Sequence, residues 1–494
     1  MAHLALSLSH IEYTFPESAE PVFGSITATF PSGWTGIIGN NGCGKSTLAH
    51  IVCGILHPTK GSLTPKLTSA YCTQDATEEP SALFDFACDY SPDAIHLRMS
   101  LNINDDMLWR FDELSTGEQK KIQVAVALWT NPQVLVLDEP TNHVDTTCRE
   151  ELIDILSQYK GIGVLISHDR ELINSLVQQC LCFESGNTIM RPGTYREAKR
   201  QANSELRSLQ QEKQQQKARI EKLKKEHGER ARKAAQSNAR RSARHLDKHD
   251  SDGRAKIGLA IVSGQDGKRA TLARRMDDRL SHERAELSNS FIPKEYASTL
   301  WLETEPCARK TLLHVPAHTM TTPQGHLISV PAITLENTTH LGIKGPNGIG
   351  KTTLVTELHE SLTQQNEHAP LRMLYLKQEV TQKDRKEIAR KVAQLNKEER
   401  GRLLSIVAQL NSDPEQILTG CTTSPGEARK IMLAYGIMMR PELIIMDEPT
   451  NHLDMNSIEA LEKALRHYPG ALILVSHDET FMNAAVHDVI ELKS

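Results

Sequence analysis

The sequence predicts an α/β protein of two like domains in tandem, joined by a long antiparallel α-helical hairpin. Three observations predict it. The phrase "LVLDEPTNHVD" at 135–145 returns as "IIMDEPTNHLD" at 444–454. The run "GNNGCGKST" at 39–47 returns as "GPNGIGKTT" at 345–353. Between the copies, 196–290 hold no Phe, Trp or Tyr and are built of Ala, Arg, Lys, Gln, Glu and Leu, a composition that cannot form a globular core. A chain of 494 residues exceeds what one core serves, so the expected domains are 1–194, 195–297 and 298–494.

Composition narrows the class. With 39% hydrophobic and 24% charged residues the chain is an ordinary globular one. No run of 18 apolar residues occurs, and "MAHLALSLSHIEY" has neither a basic start nor a continuous apolar stretch; no membrane span and no secretion signal are expected. Nine cysteines form no CxxC pair, which fits free thiols in a reducing cytoplasm, with Cys180 and Cys182 packed in a buried strand. The net charge of −5 is uneven: residues 196–284 carry 25 Lys+Arg against 13 Asp+Glu, or +12, leaving −17 for the rest. Such a segment suits a polyanion or a solvated helix.

Both glycine-rich runs match G-x-x-x-x-G-K-[ST], and each lies between an apolar strand-like run and a helix-like one. That is the setting of a phosphate loop. Gly39, Asn40, Gly42 and Gly44, and in the second copy Gly345, Asn347, Gly348 and Gly350, let backbone amides wrap phosphates at a helix N-terminus. Lys45 and Lys351 meet the outer phosphates, with Thr47 and Thr353 alongside, and Ser46 and Thr352 offer a hydroxyl to Mg²⁺.

Downstream, "VLVLDE" and "LIIMDE" read as buried parallel strands delivering Asp138-Glu139 and Asp447-Glu448 at their C-terminal ends. The first carboxylate of each pair faces Mg²⁺; Glu139 and Glu448 are the expected general bases for water attacking a γ-phosphate. His168 and His477 each follow their Glu by 29 residues, after another apolar strand, and can sense the γ-phosphate. Gln74 and Gln378 end strands and complete the metal and water shell. Ser115, Gly117 and Glu118 in "LSTGEQKK", and Ser424, Gly426 and Glu427 in "TSPGEARK", begin helices with a further anion-binding end. Since each copy already has its own phosphate loop, each Ser-Gly end is expected to close over the nucleotide of the other copy.

In this order, twice over, these motifs resemble the ATP-binding cassette superfamily: Walker A, Q-loop, signature, Walker B, D-loop (Asp145, Asp454) and switch histidine. The resemblance implies a head-to-tail sandwich of two cassettes with two ATPs between them. One site would join Lys45 and Glu139 to Ser424 and Gly426, the other Lys351 and Glu448 to Ser115 and Gly117, and both would hydrolyse ATP. Thr423 stands where the family has leucine and Pro425 where it has a small residue, so the first site should close with altered kinetics. Tyr13 or Phe15 could stack on adenine in the first copy; 302–374 offer no such ring, leaving His318 as a weak substitute.

In the connecting segment, Leu206, Leu209, Lys213, Gln216, Ile220, Leu223 and His227 make a heptad seam, and Leu272, Met276, Arg279, Glu283 and Leu287 a weaker one. Four glycines within 247–269 mark the turn, with the tip near 250–267. The positive clusters favour contact with folded RNA through backbone and shape, since no aromatic is present to stack on bases. Tandem cassettes with such a linker and "EPTNHVD"/"EPTNHLD" resemble the ABC-F family. That resemblance implies a cytoplasmic, monomeric ATPase whose linker enters the ribosomal tRNA exit site and meets rRNA and tRNA. The family holds both translation factors and antibiotic-resistance proteins. The short Gln74–Leu114 interval and the end 17 residues past His477 resemble the resistance type. The competing reading is the ATPase subunit of an importer docked on a membrane permease.

Overall fold

Short, continuously apolar runs form the centre of each cassette. Val134–Asp138 and Ile162–Ile166 are buried along their whole length, as are Leu443–Asp447 and Ala471–Val475. Strands of this kind need cover on both faces, which parallel sheets flanked by helices supply. Each Val, Leu or Ile buried there contributes about 1.5–3 kcal/mol. The computed structural model describes residues 4–18, 20–142, 144–184, 187–240, 275, 278–285, 300, 302, 304–322, 325, 327–365, 370–412 and 425–492.

The first sheet has six strands in the order Ser69–Cys72, Val134–Asp138, Ile162–Ile166, Gly33–Ile38, Val177–Glu184, Asn187–Pro192. All neighbours are parallel except the last pair. The second has five parallel strands in the order Met373–Leu376, Leu443–Asp447, Ala471–Val475, His340–Lys344, Asp488–Glu491. Because the glycine-rich loop leaves the strand two places from the acidic one, loop, carboxylates and histidine emerge at one edge. That edge is the carboxyl end, where open α/β sheets carry their ligands. Antiparallel strands flank each sheet: Ala5–Tyr13 pairs with Phe23–Pro31 and Lys60–Thr64 in the first cassette, and two separate hairpin-like pairs take that place in the second. Cys180 and Cys182 lie buried in the strand Val177–Glu184 as expected, and the described cysteines are free thiols.

The two cassettes share one compact unit, Met1–Ala198 with Glu295–Ser494, while Lys199–Lys294 forms another. Met455 of the second cassette packs into the hydrophobic core of the first. Across the same boundary Arg170 Nη1 meets Glu462 Oε2 at 2.7 Å, and the Tyr195 hydroxyl donates to Glu459 at 3.3 Å.

The connecting helix runs Tyr195–Arg240, about 70 Å at 1.5 Å per residue. Its burial follows the expected seam: Ile220 is buried and Leu206, Lys213, Gln216, Leu223 and His227 are half-buried. Leu209 is the exception and is exposed. Residues 278–285 are helical, and Arg219 Nε pairs with Glu283 Oε1 at 3.1 Å. The second seam is corrected at one position: Leu280 and Glu283 are buried and Arg279 is exposed, since Arg279 lies on the outer face of that turn. Leu272, Met276, Leu287 and the tip at 250–267 lie outside the described residues. Among the described residues no helix is long and apolar enough to cross a membrane.

Candidate nucleotide sites between the cassettes

Each phosphate loop is shaped by glycines in the left-handed region. Gly44 has φ 96° and Gly350 φ 99°, just before the helices Lys45–Val52 and Lys351–Gln365. A Cβ at Gly44 would also come within 2.8 Å of Phe23 and Val22, so only glycine fits. Lys45 Nζ donates to the carbonyls of Gly39 and Asn40, both at 2.9 Å; Lys351 Nζ does so to Gly345 at 2.8 Å and Pro346 at 3.1 Å. Folded back this way, each ammonium closes its own loop into a ring around the space where phosphates would lie. Ser46 and Thr47 begin the first helix, and Gly42 and Gly348 sit at the open tips of their loops.

The acidic pairs are buried. Glu139 is 6% exposed and Glu448 4%, and both have positive φ, 49° and 47°. A non-glycine residue held there is strained, and strain of this kind concentrates at functional sites. Burial, with help from Asp138, pushes the Glu139 carboxyl up to about 8; burial pushes Glu448 up to about 7. Each accepts from the backbone N–H of its histidine, at 3.1 Å from His168 and 3.2 Å from His477. Burial and the nearby lysines push the imidazoles down, His168 to about 3 and His477 to about 4. Both rings are therefore neutral at ordinary pH, able to accept on one nitrogen and donate from the other. Lys351 Nζ donates to His477 Nε2 at 3.1 Å.

The metal-ligand candidates differ between the copies. In the second, Thr352 Oγ1 lies 2.7 Å from Asp447 Oδ2 and 3.2 Å from Gln378 Oε1. This all-oxygen set fits a hard divalent cation, and the buried Asp447 Oδ1 has no hydrogen-bond partner. In the first, Asp138 Oδ2 instead accepts from the Tyr71 hydroxyl at 3.0 Å, while Gln74 is exposed and its carbonyl lies 3.5 Å from Lys120 Nζ.

The two halves meet head to tail. A cleft of about 560 Å³ is lined by Lys351, Thr352, Thr353, Gln378, Asp447, Glu448 and His477 of the second cassette together with Ser115 and Thr116 of the first. Gly117 follows in the same helix, Thr116–Trp129, whose start Ser115 caps: its Oγ and N–H both bind Glu118 Oε2, at 2.6 and 2.9 Å. At the other phosphate loop, Asn41 Nδ2 donates to the His452 carbonyl at 3.1 Å, and Asn40 meets Asn456 at 3.3 Å and Asn411 at 3.4 Å. A Cβ on Gly426 would lie 3.5 Å from Asn41 Nδ2 and 2.6 Å from the His452 carbonyl. Gly426 and Glu427 open the helix Pro425–Met438; Ser424 and Thr423 lie outside the described residues. Of the rings considered for adenine, Tyr13 is buried and Phe15 is 45% exposed, edge-on to it. His318 is paired with Glu357 at 2.9 Å.

Several residues escaped the sequence reading. Arg429 is buried and donates to the carbonyls of Gln378, Asp447 and Glu448 at 2.6–3.0 Å, tying the signature helix to the acidic strand. Lys120, at the matching position, reaches the Thr73 carbonyl at 2.6 Å. Arg149 joins the two cassettes. Lining up the two copies would have flagged the paired cations, but nothing in the sequence marks a backbone carbonyl as their target.

Two glycine-cradled phosphate loops, each with a buried acidic pair and a neutral histidine and each facing the other half's helix start, define a tandem nucleotide-binding cassette protein. The ABC transporter family matches residues 25–142 and 330–451. The ribosome protection protein VmlR of Bacillus subtilis is 27% identical, over 99% of this chain and 87% of that one. The erythromycin resistance ATP-binding protein MsrA of Staphylococcus epidermidis is 25% identical over 90% and 89%. In fold, the chain is similar to the archaeal ribosome recycling factor aABCE1, with TM-score 0.59, 17% identity and coverage of 98% and 87%. The chain thus carries two ABC transporter domains in tandem, and over nearly its whole length it is similar to proteins of the ABC-F family.

Proposed function

We propose that the protein is a cytoplasmic, monomeric ATPase that binds the ribosome when ATP closes its two cassettes, and that it modulates translation or dislodges antibiotics there. The observation that carries the reading is the composite cleft, in which Lys351, Glu448 and His477 face Ser115 of the other cassette. A nucleotide in that cleft is held from both sides, so its γ-phosphate can act as the clasp between cassettes. The relatives' names, which speak of ribosome protection and erythromycin resistance, support the ribosome as partner. The +12 charge of 196–284 supports contact with rRNA and tRNA through the linker 195–297, inserted at the tRNA exit site.

In this reading each phosphate loop cradles the phosphates, with Lys45 or Lys351 on the outer ones. Thr352, Gln378 and Asp447 would hold Mg²⁺ in the second site, and Ser46, Gln74 and Asp138 in the first; the ion supplies charge neutralisation on the phosphates. Glu139 and Glu448 take the proton of the attacking water, whose oxygen bonds the γ-phosphorus as the bond to the β-phosphate bridging oxygen breaks, giving ADP and phosphate. Their raised affinity for protons suits a base working near neutrality. The neutral His168 and His477 orient that water or the γ-phosphate. Hydrolysis removes the clasp, opens the sandwich and releases the ribosome.

The test is a pull-down with ATP of the Glu139→Gln, Glu448→Gln double variant. Ribosomes should be retained, and removal of 205–285 should abolish that retention while sparing ATP binding. Recovery of a membrane permease without ribosomes would instead establish the importer reading.

A further inference from the structure

Exposed apolar side chains are concentrated in one stretch of the first cassette. Among the described residues twelve large hydrophobics are exposed, and five of them, Phe84, Tyr90, Ile95, Met99 and Trp109, fall within 84–109. Met99 is 73% exposed, Phe84 66% and Trp109 59%. Phe84 and Trp109 come together edge-to-face, ring centroids 6.0 Å apart, although they lie 25 residues apart in the chain. Just beneath them Leu83, Phe86, Ala94, Leu97, Leu101 and Leu108 fill the core, so the outward rings are not displaced core residues.

The charge around these rings is one-sided. Residues 75–113 hold ten Asp and Glu against two Arg, a net −8; of the two arginines Arg98 is buried, pairs with Asp105 at 3.1 Å and lies over the Tyr90 ring. Asp85, Asp93, Asp105, Asp106, Asp112 and Glu113 are exposed. The matching stretch of the second cassette, 379–422, holds eight Lys and Arg against seven Asp and Glu, a net +1, and no Phe, Trp or Tyr. Equivalent stretches of the two cassettes thus differ sharply in acidic charge and in aromatic content, so neither the rings nor the carboxylates are demanded by the fold itself.

We propose that the exposed surface around the Phe84–Trp109 pair, with the neighbouring Asp85, Asp105 and Asp106, is a docking surface for a lysine- and arginine-rich protein. Aromatic rings and methionine are the side chains enriched at protein interfaces, and rings receive cationic side chains on their faces. The carboxylates supply the complementary field, which steers a basic partner and repels phosphate. A nucleic acid is excluded by the same charge, so this surface and the basic linker address different chemistries. The choice of the ribosome as probe rests on the function proposed above, since it offers basic proteins and RNA side by side.

The experiment uses the full chain as the Glu139→Gln, Glu448→Gln variant, in two arms. In the first, a fluorescein-labelled lysine- and arginine-rich peptide is titrated by anisotropy. The double substitution Phe84→Ser, Trp109→Ser should weaken its binding about tenfold, and Asp105→Asn with Asp106→Asn several-fold with a reduced salt dependence. Both sets lie at the exposed face, and an unchanged melting temperature separates lost docking from lost folding. In the second, a benzophenone amino acid replaces Trp109 and is irradiated with purified ribosomes and ATP. A covalent product with a basic ribosomal protein is the expected result. A product with rRNA or with a second copy of this chain overturns the proposal, as does peptide binding indifferent to both substitutions. Intact, substitution-sensitive peptide binding without any ribosome binding supports the surface and refutes the ribosomal reading instead.

Discussion

Arg149 of the first cassette donates from Nη2 to the backbone carbonyl of His477 in the second, at 3.0 Å. The same guanidinium is held at home by Asp169, 2.8 Å from Nε, and Glu171, 2.9 Å from Nη1. One side chain therefore links the segment after His168 to the histidine of the opposite site. The position matching Arg149, four residues after Asp454 as Arg149 is after Asp145, is Ile458. The link exists at one crossing only.

This asymmetry sets the first prediction. With Glu139→Gln confining turnover to the second site, Arg149→Ile should lower kcat about tenfold with little change in KM, the loss of one charge-assisted positioning contact. In a Glu448→Gln background the same substitution should cost clearly less. Arg149→Lys, which keeps one donor, should fall between. Equal losses in both backgrounds would show that Arg149 acts on the interface as a whole.

A second prediction concerns pH and stability. The buried carboxyls of Glu139 and Glu448, the proposed bases, bind protons more tightly folded than unfolded, about 8 and about 7 against a usual 4.5. Their contribution to stability is full below 4.5 and is lost as pH rises through 7 and 8, where burial opposes ionisation. Without nucleotide, Glu139→Gln or Glu448→Gln should thus raise the melting temperature at pH 8.5 by about 2–4 °C. At pH 5.5 the gain should shrink, which differential scanning fluorimetry would resolve. For catalysis the sign is opposite: kcat/KM should rise between pH 6 and 9 as the bases ionise.

The oxygen cluster of the second site yields a third. Thr352→Val keeps the shape and removes the hydroxyl that lies 2.7 Å from Asp447. The Mg²⁺ concentration for half-maximal turnover in the Glu139→Gln background should rise about tenfold. Nucleotide binding without Mg²⁺, followed with a fluorescent ATP analogue, should change little.

Gly426 supports a fourth. A methyl group there would press on the His452 carbonyl at 2.6 Å, and backbone cannot give way as a side chain can. Gly426→Ala should hinder closure at the first site, lowering turnover in the Glu448→Gln background about tenfold. Gly117, with open space around the matching direction, should accept alanine far better in the Glu139→Gln background.

The fold was largely legible because its signals are local. A glycine run that must wrap phosphates, the strand before it and the helix after it lie within about twenty residues, and so do an acidic pair and its buried strand. The repeat then doubled every inference. The linker seam was read correctly at Ile220 and Leu223, where apolar spacing is regular, and misread at Arg279, where Leu280 takes the inward position. There the polar seam left the helical phase weakly defined.

The site itself was legible only as a set of parts. Lys351, Glu448 and His477 could be named because each lies in a short motif of fixed spacing within its own cassette. The cations Lys120, Arg429 and Arg149 could not, because the contacts that tie them to the sites end on backbone carbonyls, which every residue carries and no sequence distinguishes. The outward rings of Phe84 and Trp109 belong to no motif, and nothing in the local sequence separates them from core residues.

By itself, then, the sequence determined two phosphate-binding α/β cassettes, their order and the residues each brings, since those follow from local geometry at fixed spacing. Only the tertiary structure decided how the halves differ. It turned Asp138 toward Tyr71 and Asp447 toward Thr352, sent Arg149 across the interface at one crossing, and left one cassette with an acidic aromatic face. These are contacts between residues far apart in the chain, where packing and burial select among side-chain arrangements that the local sequence leaves equally open.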